Sequence, residues 1–247
     1  WGGALMALES SWPDAAFIAE LYPAMARFAD WLVRTRDTDG TGMVDVVDQY
    51  ETGQEYMSRY QAVDLDADRY GWENRLRLKG VDVTVYAYAL FRALEGLGPR
   101  GGLDPAVWAA RAQKTGKALL HKMWDREAGM FFDVNPQSGK RTGVRAAVCF
   151  YPYATDLVHA DHLPGFTKRL FDAAGFWTPF PVPSSSQQDP LYDPDAVWKG
   201  KRHNCPWNGR VWPMTNSHVA EAIAAVALRH LPALRVQLAE FVTKYVR

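Results

Sequence analysis

The sequence predicts an all-α chain, an incomplete α/α toroid with long aromatic loops and short β-hairpins. Three observations lead there. Apolar residues recur at the 3.6-residue helical period over long segments, and strand-like alternation is scarce. The loops between those segments (37–79, 125–160 and 174–212) are rich in Trp, Tyr, Asp and Pro, and loops of such length in a compact domain usually have a function. A short internal echo repeats helix, acidic turn with Gly, and apolar strand: DTDGTGMVDV follows the helix ending at Arg36, and DREAGMFFDV the helix ending at Trp124. Helix–loop–helix units repeated around a ring build a toroid in which one set of loop ends forms a funnel.

Taken in order, the first helix is expected to begin at Pro13-Asp14, because proline suits the first helical position, with Phe17, Leu21, Met25, Phe28 and Leu32 on one face. A second runs from about Gly80 to Leu97 and carries Val81, Val85, Tyr88, Ala89 and Arg92. A third starts after Asp104 with Pro105 at its entry and reaches Trp124. A shorter helix is expected near 162–173, and two more over Thr215–Leu231 and Pro232–Arg247, where Pro232 begins the second of that pair. The last one is amphipathic through Leu234, Leu238, Phe241 and Tyr245.

Composition narrows the partners. Lysine and arginine number 28 against 28 aspartates and glutamates, so there is no electrostatic reason to expect nucleic acid or an anionic membrane. The longest apolar runs fall well short of the roughly 20 residues that span a bilayer. Cys149 and Cys205 show no CxxC spacing, which disfavours a disulfide framework and a cysteine zinc site. With no secretory signal evident, the compartment is open and leans to the cytoplasm. The start at Trp1 in a Gly-Gly segment, and the end at Arg247 inside an uncapped helix, read as a piece of a longer protein truncated at both ends.

Two constellations carry candidate chemistry. In ETGQEYMSRY the carboxylates of Glu51 and Glu55 and the guanidinium of Arg59 recur every four residues, with Tyr50, Tyr56 and Tyr60 interleaved. Glycoside hydrolysis needs a carboxylic acid to protonate the leaving oxygen and a second carboxylate for water or the anomeric carbon. Sugars also favour aromatic faces and fork-like donors. The same spacing also describes a solvated helix with Glu–Arg pairs, although Gly53 argues against a regular helix. In NCPWNGRVWPMTNSHVAEAI, Trp207 and Trp212 flank Asn208, Gly209 and Arg210 ahead of a helix that starts after Pro213. That pattern suits stacking on a sugar, with hydrogen bonds from Asn208 and Arg210, or else an aromatic plug at a helix entry.

These segments resemble the six-hairpin glycosidases, the (α/α)6 group that holds glycoside hydrolase family 63 and the trehalases. ETGQEYMSRY is similar to their ESGWDxSxRW signature, with Gln54 at the usual large residue and Glu55 in place of Asp. The turn from Pro206 resembles their YWRGPxWPxxN block, with Asn208 at an Arg position and Arg210 at a Pro; its form is closest to bacterial mannosylglycerate-hydrolase-like members. GVDVTVYAYALFRAL, MWDREAGMFFDVN and FWTPFPVPSSSQQDPLYDPD resemble three further blocks in collinear order. The resemblance implies a partial catalytic domain over residues 1–247 and inverting hydrolysis of an α-glycosidic bond in a small glycoside or oligosaccharide. Glu55 would be the acid, with Glu51 the second choice. Tyr50, Arg59, Tyr60, Asp82, Trp177, Tyr192, Trp207, Asn208, Arg210 and Trp212 would contact a small carbohydrate. The group's general base follows the last helices, and no counterpart occurs before Arg247, so this stretch by itself is expected to be inactive.

No cofactor is expected. Asp37, Asp39, Thr41, Asp45 and Asp48, with Gly42 among them, approximate the spacing of a calcium loop, but Asp48 stands where such loops place a bidentate Glu. A hydrogen-bonded acidic turn is the preferred reading, and a calcium ion there would be structural. The rival readings of the whole chain are a non-catalytic carbohydrate-binding toroid and a sugar epimerase or lyase on the same fold.

Overall fold

Residues 2–69, 76–101, 104–180 and 182–246 are described by the computed structural model, and helices dominate them. The chain forms two compact units, Trp1–Asp45 with Val83–Lys122, and Val46–Asp82 with Met123–Arg247. Residues 70–75 of the long first loop lie outside the described residues.

The first unit is helical. α1 (Gly2–Ser11) precedes α2 (Ala15–Arg36), whose N-cap Asp14 accepts the Phe17 amide, one residue on from the expected Pro13-Asp14 start. Sequence periodicity gave no sign of α1, which begins on two glycines and concentrates no apolar stripe. The core-facing side of α2 is Ile18, Tyr22 and Ala29, with Phe17 and Phe28 exposed. The expected face is therefore rotated by one residue. Large aromatics fitted the helical period equally well on the neighbouring stripe, where Phe28 instead stacks on Trp31. α4 (Val81–Leu97) matches its expected bounds, but Ala89 and Arg92 of the expected face point outward, as does Tyr86, while Val81, Val85 and Tyr88 are buried. Within this unit Tyr22 Oη donates to Leu94 O at 3.1 Å, and Phe91 stacks on Trp108 of α5 (Ala106–Ala118). α5 continues into a π-helical turn, Leu119–Met123, so the helical path ends one residue short of the expected Trp124, which already lies in a strand.

The turn after α2 is an acidic hydrogen-bonded turn. Asp37 accepts the Gly42 amide with both oxygens at 3.1 Å, Thr41 Oγ1 donates to Asp37 and Asp39, and Lys114 lies 3.6 Å from Asp37. Gly42 has a φ of +81°, the left-handed conformation that glycine adopts freely.

The second unit mixes short elements with two long helices. The short strand pairs β1 (Asp45–Val46), β2 (Leu78–Lys79), β3 (Trp124–Asp125), β4 (Met130–Phe131), β5 (Val197–Trp198) and β6 (Lys201–Arg202) include the hairpins β3–β4 and β5–β6. α3 (Ser58–Gln61) is one turn long. α6 (Leu163–Leu170), α7 (Pro213–Arg229) and α8 (Arg235–Tyr245) fall where periodicity put them, with Pro213 and Pro232 at helix entries. The largest departure from expectation is AVCFYPYA, assigned to a loop, which forms a 3-10 helix over Ala147–Ala154 buried from Ala147 through Tyr153. It is apolar on every side, so no single face repeats, and it packs on α7 as the centre of this unit's core. Arg229 of α7 closes its end by donating to Ala154 O at 2.9 Å.

The β3–β4 turn meets α6 backbone to backbone. A Cβ at Gly165 would fall 2.1 Å from Gly129 O. Gly165→Ala is therefore expected to lower unfolding free energy by about 1–3 kcal/mol, because backbone cannot move aside as a side chain can. Urea denaturation checks this, and an unchanged midpoint would show that the approach is not tight in solution.

Candidate active site

The segment 48–60 is not one helix. Asp48 caps a 3-10 turn (Gln49–Thr52) by accepting the Tyr50 amide, and Gly53 ends it at φ +64°. Tyr56 takes a positive φ of 59°, with its amide donating to Gln49 Oε1 at 2.9 Å. These two left-handed residues break the four-residue spacing, so Glu51, Glu55 and Arg59 point to three different places. The solvated-helix reading fails with them, because Arg59 is 0% exposed.

Arg59 is the hub of a buried ion cluster. Its Nη1 and Nη2 each donate to Asp82 at 2.8 Å, while Nε and Nη2 reach Asp133 at 2.9 and 2.8 Å. Asp133 also accepts the Val81 amide at 2.8 Å, and Gln54 Nε2 reaches Asp82 at 3.3 Å. Burial opposes the charge on Arg59, but the two carboxylates outweigh it and hold the guanidinium cationic. Burial, with the adjacent Asp82, pushes Asp133 above the ordinary carboxylate range against the pull of Arg59. The expected sugar contacts of Arg59, Tyr60 and Asp82 are thus corrected. All three are sealed, and the Tyr60 hydroxyl is bonded to Thr52 at 2.6 Å. Arg59 and Asp82 spend their charged groups within the cluster, and Tyr60 spends its hydroxyl on Thr52.

Glu55 is different. Its side chain is half-buried, and it meets the tryptophan-flanked turn. Its carbonyl accepts the Trp207 amide at 3.1 Å, and its Oε1 accepts from Cys205 Sγ at 2.8 Å. The two segments singled out in the sequence therefore converge here. Beside Glu55, Tyr56 contacts Tyr50 edge-on with their hydroxyls 3.1 Å apart, and it packs on His203 (4.4 Å between ring centres) and Trp198 (6.4 Å). Burial raises the Tyr50 phenol well above its usual range, so this hydroxyl stays protonated as a donor. Trp207 stacks on Trp212 at 4.4 Å with rings 11° apart, and Arg210 lies over Trp212. Trp212 Nε1 is buried without a hydrogen-bond partner.

The remaining expected residues divide. Asn208 is a buttress, buried with Nδ2 donating to Leu191 and Val197 carbonyls at 2.8 and 3.1 Å. Tyr192 packs against Gly209, where a Cβ would meet its ring at 2.8 Å. Ser58 of the first segment donates to Asp189 at 2.5 Å, binding the loop before the tryptophans to the same group. Glu51 is exposed and accepts the Val47 amide at 2.8 Å, a local contact. Trp177 belongs elsewhere: it packs on Phe171 and Phe241, under Lys244, with Nε1 donating to Glu240. Asp37 and Asp39 are engaged in their turn and Asp48 in a cap, and no group of three or more His, Cys, Asp or Glu among the described residues is arranged to hold a metal ion. Sequence reasoning missed Asp133, Trp198, His203 and Cys205 as members. Only Asp133 had a signal, since it is the penultimate residue of the echoed GMFFDV and aligns with Asp45 of GMVDV.

A half-exposed carboxyl in an aromatic wall, with its supporting charges buried beneath, is an arrangement able to pass a proton to a ligand lying on the rings. The family model described as the mannosylglycerate hydrolase MGH1-like glycoside hydrolase domain matches residues 3–246, and the chain belongs to that family. The chain is similar to a curated mannosylglycerate hydrolase of Thermus thermophilus, 25% identical over 85% of this chain and 60% of that protein. Among solved structures, a family 63 mannosylglycerate hydrolase of T. thermophilus in complex with glucose superposes with a TM-score of 0.75 at 20% identity, over 95% of this chain and 64% of that one. The same enzyme in complex with Tris and D-glycerate gives 0.76 at 18%, over 97% and 66%. The fold is thus the helical six-hairpin toroid class that the sequence predicts. The chain spans about 60% of the length of the curated relative it matches.

Arg59→Met should cost about 3–5 kcal/mol in urea unfolding near neutral pH, because it strands two buried carboxylates. Without the guanidinium, burial is left to favour the protonated form of both carboxyls, so the missing stability returns as pH falls and they protonate. A loss below about 1 kcal/mol, or one independent of pH, would show that the cluster is not the buried charge centre described.

Proposed function

We propose that these residues carry the proton-donating side of a glycosidase site, within an enzyme that hydrolyses the α-glycosidic bond of a small glycoside with inversion. Residues 1–247 then form part of an (α/α)6 catalytic domain. The single observation that carries this reading is the meeting of Glu55 with the Trp207–Trp212 turn. Glu55 is the general acid, and a proton donor of this kind works within roughly 2.6–3.2 Å of its target oxygen. The accessible part of Trp212, Tyr56 with His203, and Arg210 offer stacking and hydrogen-bonding surface to a sugar, while Trp207 is buried and supports Trp212 from behind. A second carboxylate must activate water on the opposite face, roughly 6.5–9.5 Å away in an inverting enzyme. We assign it to a part of the enzyme beyond these residues.

The substrate we propose from the sequence resemblance is a mannosyl- or glucosylglycerate, or a trehalose-like or simple glucoside. Solved structures of the similar T. thermophilus enzyme in complex with glucose and with D-glycerate support a sugar joined to a small polar aglycone.

In the whole enzyme, Glu55→Gln should lower kcat by about 10²–10⁴-fold while sugar binding persists, since the amide keeps the shape but has no acidic proton to give. Steady-state kinetics on a panel of glycosides, with the product anomer read by NMR, measures both points. Near wild-type turnover in this variant would remove Glu55 from the mechanism, and product of retained configuration would remove inversion.

A further inference from the structure

Glu55 is held at two points by one short stretch of chain. The Trp207 amide donates to its carbonyl at 3.1 Å, and two residues earlier the Cys205 thiol donates to its Oε1 at 2.8 Å. Pro206, between them, has a fixed φ, so the two donors are presented as one unit. The first bond fixes where residue 55 sits and the second fixes where its carboxyl turns. We propose that Cys205 is the positioning residue of the Glu55 carboxyl, occupying Oε1 so that the proton to be transferred resides on Oε2.

This rests on the reading of Glu55 as proton donor, and it gives a physical reason for a thiol at position 205. A thiol is a weak and neutral donor. It orients a carboxyl without the strong stabilisation of the anion that a charged donor gives, which would strip the acid of its proton. Glu55 also stands where the resembled signature has Asp, one methylene shorter. The longer side chain has one more torsion to fix, and a second tether fixes it.

The groups around the thiol are few. Its hydrogen bond to Glu55, burial and the charge of Glu55 raise its pKa, and the Trp207 side chain and then Arg210, both from the same turn, work in the other direction. Tyr50 faces Glu55 from the 3-10 turn, and Tyr56 and His203 stack beside it. Cys149, the other cysteine, is 0% exposed with its thiol pushed up to about 12, so in the native protein an alkylating reagent reads Cys205 alone.

Two arms test the proposal. In the first, the rate of iodoacetamide alkylation of native chain is followed against pH for wild type and Glu55→Ala. The thiol midpoint in the variant should fall towards the ordinary value of about 8.5, with alkylation near pH 8 faster by up to about tenfold. Superimposable profiles would overturn the tether. In the second, Cys205→Ala in the whole enzyme should lower kcat by about tenfold with KM within about twofold, the size of one lost hydrogen bond. It should also shift the pH–rate limb that belongs to the acid, and Cys205→Ser should restore both. Wild-type kcat in the alanine variant, or a serine variant as slow as the alanine one, would overturn the positioning role. Absence of hydrolysis on every glycoside would remove Glu55 as acid and with it the role of Cys205, while the alkylation arm would still decide whether the two side chains are joined.

Discussion

The candidate site depends on one buried guanidinium. Arg59 reaches Asp82 at the start of α4 and Asp133 just after β4, so three segments far apart in sequence share a single charge centre. Removing three charges from water is costly, and such a cluster is tolerated only when geometry satisfies nearly every donor and acceptor. Here the two forks, the Val81 amide and Gln54 do so. What the cluster supplies is arrangement more than net stability. In the conformation of 54–60 that lets Arg59 make both forks, Glu55 lies against the tryptophan turn.

From there the chemistry is one of contrast. Two carboxylates at the base are held by charge, whereas Glu55 is held by a backbone amide and a neutral thiol. A guanidinium fork favours the anion of the carboxyl it binds, while a neutral donor orients a carboxyl with little such bias. The surrounding rings come from several loops: Tyr50 and Tyr56 from the first, Trp198 and His203 from the β5–β6 hairpin, and Trp207 and Trp212 from the turn before α7. Hydrogen bonds between loops, among them Ser58 to Asp189 and Ser184 to the Arg210 carbonyl, keep these rings in register without regular sheet. Membership of a glycoside hydrolase family gives this arrangement its context.

Residue type and position in the chain proved to be poor guides to the job a side chain does. Arg59 and Asp82 belong to types that bind sugars, yet both are sealed beneath the site. Asn208, in the middle of the tryptophan turn, spends its amide on two carbonyls. Trp177, close in sequence to the aromatic loops, packs against α8. In each case the deciding quantity is which polar atoms are already paired, and that is a property of distant neighbours.

The sequence by itself determined whatever local physics specifies. Helical periodicity and proline at helix entries set α4 to α8 close to their observed bounds, the Asp14 cap set the start of α2, and the acidic turns with their glycines were legible from composition alone. Motif order also gave the family and brought forward the two segments that meet. Only the tertiary structure decided which stripe of α2 faces the core, that AVCFYPYA is buried helix and not loop, that Arg59 looks inward, and that Cys205 lies against Glu55. Those outcomes depend on partners as many as 150 residues away along the chain. Periods and caps are readable because their partners lie within a turn or two, whereas burial and pairing are settled by whichever remote groups the fold brings within reach.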